Sequence, residues 1–184
     1  MKRIALAAVF ALMATAAPAQ SAATTKPGKE AWWLRTSFNP IHTQVRGIPV
    51  AKIRKGWCKA TEYSFDYIPR KLLDEDDTEK MMKQYGFSFA VEGNFDRSKT
   101  RQIAVVGVYQ TCGGRKGSFL LVIDKDTKKI RFLDATPSDA QFAVLSSDKE
   151  HIVVGYCLEC DVGGVLRWNA RNKAFGWIKS GHGD

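Results

Sequence analysis

The signatures of enzymatic chemistry are missing from this chain. There is no Gly-x-Ser-x-Gly elbow and no His-Glu-x-x-His helix, and the three histidines, His42, His151 and His182, have no recognisable partner spacing. Beyond the N-terminal run no apolar stretch approaches the roughly 18 residues of a membrane-spanning helix. Aromatic residues at 11% and charged residues at 26% are ordinary globular values, which excludes global disorder and low-complexity architectures. Acid is scarce relative to base, with 19 Asp and Glu against 28 Lys and Arg and a formal charge of +9. A length of 184 residues leaves room for one ordinary domain or two small ones and excludes a large multidomain enzyme.

What is present begins with an address. Met1-Lys2-Arg3 gives a positive start, Ile4 to Ala17 is apolar and small, and Ala17-Pro18-Ala19 offers an A-x-A cleavage site. Residues 1–19 therefore read as a secretory signal peptide, with cleavage no later than residue 23. The run is too short to span a bilayer comfortably, and the absence of a cysteine near the cleavage site argues against a bacterial lipoprotein. The expected location is periplasmic or secreted, with no transmembrane segment after cleavage. Loss of Lys2 and Arg3 takes the charge from +9 to +7. Residues 20–30, rich in Ala, Thr, Ser, Lys, Pro and Gly, read as a flexible leader, and residues 31–184 as a single β-rich domain.

The mature chain opens with strand-like segments at Trp32–Phe38 and Gln44–Val50, separated by the turn signal Asn39-Pro40. Gly56–Thr61 is ambiguous. Glu62–Ile68 alternates polar and aromatic residues and reads as a half-buried strand ending at Pro69. One short helix is expected where Asp74-Glu75-Asp76-Asp77-Thr78-Glu79 precedes Lys80-Met81-Met82-Lys83-Gln84-Tyr85, with Gly86 as terminator, because acids lead and bases follow along the helix dipole. The acidic run lacks the spacing and glycine of a calcium loop, so it reads as a solvated helix start.

The second half carries a weak duplication. Phe89-Ala90-Val91 recurs as Phe142-Ala143-Val144, Val105-Val106-Gly107 as Val153-Val154-Gly155, and Cys112 as Cys160; Asp124, Lys128, Ile130 and Phe132 correspond to Asn169, Lys173, Phe175 and Trp177. Spacing changes fall between the strand-like segments and none falls within them. The units span 87–133 and 142–178. The first has expected strands at Phe87–Phe95, Gln102–Thr111, Ser118–Asp124 and Lys129–Leu133, and the second at Gln141–Leu145, His151–Leu158, Val165–Asn169 and Ala174–Ile178. Each is an antiparallel meander the size of a propeller blade.

Glu92-Gly93-Asn94-Phe95-Asp96 ahead of Ile103-Ala104-Val105-Val106-Gly107 resembles the FG-GAP type of β-propeller repeat, over about half the chain. The calcium ligands of that family would fall at Arg97 to Gln102, where this chain has no carboxylate, so no calcium role is implied. A chain of this length does not hold four such blades. The expected fold is mainly β, with two blade-like antiparallel meanders, N-terminal strands and one short helix; a β-sandwich is the alternative.

Four cysteines in an exported chain point to two disulfides. The preferred pairing is Cys157–Cys160 and Cys58–Cys112, with Cys112–Cys160 as rival. Haem attachment at Cys157-x-x-Cys160 fails because Asp161, not His, follows. Zinc lacks a second ligand pair, although Cys58, Cys112, His151 and His182 are candidates, and a thioredoxin-like centre wants a helix N-terminus rather than a strand end. Gly113-Gly114-Arg115-Lys116-Gly117 reads as a hairpin turn, with anion binding through its amides as the alternative. Glu62 and Asp66 share a face at period two but read as solvated.

No catalytic residue, cofactor or metal site is assigned. The expectation is an exported non-enzymatic binding protein of the bacterial cell envelope, such as an inhibitor or immunity-type partner of an envelope toxin or hydrolase. The alternatives are an envelope enzyme or thiol oxidoreductase using Cys157 and Cys160, and a binder of anionic envelope polymers. Export removes nucleic acid from consideration. Along the sequence the excess bases are spread over turns and strand faces and form no block.

Overall fold

The computed structural model describes residues 32–75, 77–138, 141–159 and 162–178; the expected signal peptide and leader, Cys160 and His182 lie outside them. The chain is mainly β, and its sheets are antiparallel and open. The larger sheet has the order β3 (Trp57–Glu62), β5 (Gln102–Thr111), β6 (Lys116–Asp124) and β7 (Ile130–Pro137), with β4 (Ala90–Gly93) also paired to β5. The second sheet is a four-stranded meander of β8 (Val144–Asp148), β9 (His151–Gly155), β10 (Gly163–Asn169) and β11 (Ala174–Ile178). Equivalent turns of the two meanders carry a left-handed basic residue: Arg97 (φ 58°) and Lys149 (φ 49°) after the first strand, Lys128 (φ 59°) and Lys173 (φ 49°) before the last.

The sheets share one core. Ala104, Val106, Val108, Leu120 and Val122 from the larger sheet pack in a cluster with Val144, Leu145, Ile152, Val154, Leu166 and Phe175. Ser88 stitches the sheets together, exchanging backbone hydrogen bonds of 2.7 and 2.6 Å with Leu145. Phe89 meets Phe142 edge-on, ring centroids 6.1 Å apart. The opposite face of the larger sheet is buried as well, with Ile103, Val105, Tyr109, Phe119, Leu121 and Ile123 lying under Val45, Ile48, Val50, Ile53 and Trp57. Burial on both faces explains why β5 and β6 are nearly continuous apolar runs rather than alternating ones.

The N-terminal third departs from the strand reading. Trp32 and Trp33 begin a single helical turn, α1 (Trp32–Arg35), instead of a strand. Both indoles are buried. A strand would send adjacent side chains to opposite faces, whereas a helical turn lets both enter one core. Trp32 rests edge-on against Phe142 at 5.2 Å and donates from Nε1 to the buried Thr78 hydroxyl at 3.1 Å. Gln44 to Val50 is a miniature hairpin, β1 (Gln44–Val45) and β2 (Ile48–Pro49), followed by the helical turn α2 (Val50–Ile53). Its two-residue turn has positive φ at both Arg46 (52°) and Gly47 (81°), the combination that matches the twist of the flanking strands.

Glu62–Ile68 is likewise not a strand. The ambiguous segment before it is the strand β3, which stops at Glu62, and Tyr67 and Ile68 then donate to the Ser64 carbonyl in a turn. The reason is edge occupancy: β3 pairs with Gly107 to Thr111, while β4 takes Gln102 to Val105 on the same side of β5, so an extension of β3 past Tyr63, whose amide donates to the Val106 carbonyl at 3.0 Å, has nothing to pair with. Gly107 marks this crowded junction. A Cβ there would lie 2.2 Å from the Thr61 carbonyl oxygen.

The expected single helix is two, α3 (Arg70–Glu75) and α4 (Thr78–Gln84), with Asp77 left-handed at φ 46° between them. Leu73 and Met82, nine residues apart, would face opposite ways on one straight helix. The break turns both into the core. Gly86 (φ 66°) ends α4, its amide donating to the Lys83 carbonyl and that of Phe87 to Met82, which is a Schellman closure.

Candidate functional site: a cleft between the sheets

The two sheets close on each other at the Ser88–Leu145 seam and leave an opening further along. There Ser118 and Leu120 of β6 and Asp134 and Thr136 of β7 face Val154, Tyr156, Val162 and Trp177, with Trp33 and Phe142 at the base. The cavity measures about 420 Å³, the scale of a small-ligand site. Its wall is predominantly apolar. Tyr156, 41% exposed, and Val162, 60% exposed, stand at the mouth, held together by a 2.9 Å hydrogen bond from the Tyr156 amide to the Val162 carbonyl.

Among the described residues, Asp134 is the only acidic one lining the cleft. It lies opposite Leu120 in the β6–β7 register, so strand geometry points it to the same inner face. One carboxylate oxygen accepts 2.8 Å from Trp177 Nε1, and no ion pair neutralises it among the described residues. Trp177 reaches this position because Gly164 lies beneath its ring: a Cβ on Gly164 would sit 3.0 Å from the indole. Phe132 supports the same ring edge-on, centroids 6.2 Å apart. Partial burial first, and the Asp134 charge second, hold the Tyr156 phenol above its ordinary pKa. At neutral pH the mouth therefore presents a neutral hydroxyl donor, above the Asp134 side chain of the interior.

A separate charged cluster fixes the walls. Arg131 spans Asp96 (2.9 Å) and Asp124 (3.1 Å) and lies over the Trp168 ring at 5.2 Å, joining the two meanders. Burial pushes the Asp96 carboxyl up, but hydrogen bonds from Ser98, the Arg131 charge and a bond from Gln102 outweigh it and hold the group below its ordinary value. Gln102 accepts from the Phe95 and Asp96 amides and donates to Asp96 and the Thr100 carbonyl, so the β4–β5 turn is organised by a buried amide.

The residues singled out from sequence occupy other places. Cys58 and Cys112 form a disulfide, Cα atoms 4.9 Å apart, tying β3 to the β5–β6 hairpin. Cys157 is buried and disulfide-bonded in the irregular stretch after β9, with its expected partner Cys160 outside the described residues. In the glycine-rich segment, Gly114 donates to the Thr111 carbonyl (2.9 Å) and Arg115 to the Thr111 hydroxyl (3.0 Å), so two amides are used inside the turn. Lys116 and Gly117 already belong to β6. Gly117 is where Tyr109 folds over the sheet, stacked on Trp57 at 4.3 Å. Glu62 pairs with Arg46, and His42 and His151 lie on strand pairs away from the cleft. Among the described residues no three His, Cys, Asp or Glu side chains are grouped so as to hold a metal ion, and no helix is long and apolar enough to cross a membrane.

Sequence reasoning missed the cleft. Its one local signal is Phe132-Leu133-Asp134, which puts a carboxylate on the same strand face as a core aromatic. No protein-family model matches the chain, and neither a curated protein nor a solved structure is significantly similar to it. The FG-GAP resemblance therefore rests on the residues quoted for it.

Proposed function

We propose that this chain is an exported, non-enzymatic binding protein of the bacterial cell envelope whose inter-sheet cleft takes the apolar part of its ligand. The observation that carries the reading is the cleft itself, an apolar cavity with one carboxylate at Asp134 and one phenol donor at Tyr156. That composition favours a ligand with an aromatic or aliphatic body and a positive or hydrogen-bond-donating group, carried on a small molecule or on a side chain of a protein partner. Among the described residues no histidine or cysteine lines the cleft to act as base or nucleophile, which favours binding over turnover. The N-terminal apolar run supports export, and disulfide bonding at Cys58, Cys112 and Cys157 fits an oxidising compartment.

A naphthylmethylamine and its carboxylic-acid analogue, titrated against intrinsic tryptophan fluorescence, test this. The amine should bind more tightly than the acid, by about tenfold, and Asp134→Asn should abolish the preference. Equal binding of the two, or a preference unchanged by Asp134→Asn, would overturn it.

A further inference from the structure

The end of the larger sheet furthest from the β4–β5 turn gathers positive charge that the sequence disperses. Two segments meet there, Gly47 to Thr61 and Val108 to Phe119, and neither contains an Asp or Glu. The fold locks them together three ways: Trp57 pairs with Thr111, the Cys112 amide donates to the Gly56 carbonyl at 2.9 Å, and Cys58 is bonded to Cys112. The result is a cap of six bases, Lys52, Arg54, Lys55, Lys59, Arg115 and Lys116. None forms an ion pair among the described residues; Lys116 bonds only to the Asn39 side chain. The nearest carboxylate along β3, Glu62, is already taken by Arg46, and Asp139, just beyond β7, lies outside the described residues.

We infer that this disulfide-braced cap docks the protein onto an anionic lipid surface. The Gly114 and Arg115 amides are used within their own turn, and the described cavities do not open among these bases, so the patch suits an extended array of phosphates rather than one small anion. A flanking apolar residue completes an interfacial pattern: Ile41 is 59% exposed beside β3, its amide donating to the Thr61 hydroxyl at 2.8 Å. Basic side chains drawn to acidic headgroups, with a small apolar anchor, make a reversible, salt-sensitive attachment. The cap adjoins the cleft at Ser118, but its six bases do not line the cleft, and the inference does not depend on what the cleft binds.

The test is co-sedimentation of the full chain, recovered from the cells that export it, with phosphatidylcholine vesicles containing or lacking about one third phosphatidylglycerol. Binding should require the anionic lipid and weaken about tenfold between roughly 50 and 300 mM salt. The triple variant Arg54→Glu, Lys55→Glu, Arg115→Glu should lose about tenfold or more, while Lys71→Glu, Lys99→Glu, Arg171→Glu, with the same change in net charge at exposed sites elsewhere, should bind as the parent does. All three chains are exported and processed alike, so any contribution of the N-terminal segment cancels, and circular dichroism confirms that each is folded. The inference is overturned by equal binding to neutral vesicles, by no binding, by equal loss in both triple variants, or by soluble polyphosphate competing fully at equal phosphate concentration.

Discussion

Asp134, Gly164 and Arg131 carry the most consequence for their size. Asp134→Asn keeps an oxygen to accept the Trp177 indole bond but removes the charge, so the fold should survive while cationic ligands are lost. Gly164→Ala acts on the same bond from below. Its Cβ would press on the Trp177 ring at 3.0 Å and move the indole away from Asp134, costing about 1 to 2 kcal/mol of stability in denaturant titrations and narrowing the cleft. Arg131→Met is the severe change. It strands two buried carboxylates, Asp96 and Asp124, and should cost about 3 kcal/mol or more, read as a fall in the denaturant midpoint at neutral pH. None of these roles was legible in the sequence, because each depends on a partner across a sheet: Trp177 is 43 residues from Asp134, and Trp168 lies in the other meander from Arg131.

Elements were legible where local chemistry defines them. The strands Gln102–Thr111 and Ala174–Ile178 have the expected bounds, since turn residues and apolar runs mark their ends within the chain itself. Elements failed where a distant neighbour decides. The period-two aromatics of Tyr63, Phe65 and Tyr67 promised a strand, but β4 occupies the edge that strand would need, and the adjacent tryptophans at 32 and 33 promised another until a single core claimed both rings. The Cys58–Cys112 bond acts at this scale as well. It closes a separation of 54 residues, so replacing both by serine should lower stability by about 4 kcal/mol on the chain-entropy estimate. Hydrogen exchange should show the loss of protection concentrated in β3 and the β5–β6 hairpin; uniform loss over both sheets would contradict that assignment.

For the whole molecule, the arrangement of charge matters more than its sum. The formal +9 includes bases paired on the meanders, such as Arg97 with Glu150 and Arg131 with its two aspartates, and the six bases of the cap at the disulfide end, which form no ion pair among the described residues. Acid should test the paired part. The Asp96 carboxyl is held below its ordinary value in the fold, so its contribution is fully present above the unfolded pKa near 3.9 and is lost as pH falls through the lower folded value. Denaturant midpoints measured from about pH 6 down to about pH 2 should therefore fall on the acid limb, and Arg131→Met should show a shallower fall because the depression of Asp96 is relieved. The central claim concerns the cleft, and two tryptophans on opposite faces of the larger sheet report on it directly. With naphthylmethylamine added, the Trp177 indole N–H resonance should shift progressively, while that of Trp57, buried under the N-terminal hairpin on the far face, stays fixed. A titration in which Trp177 does not move, or in which Trp57 moves with it, would contradict the cleft as the binding site.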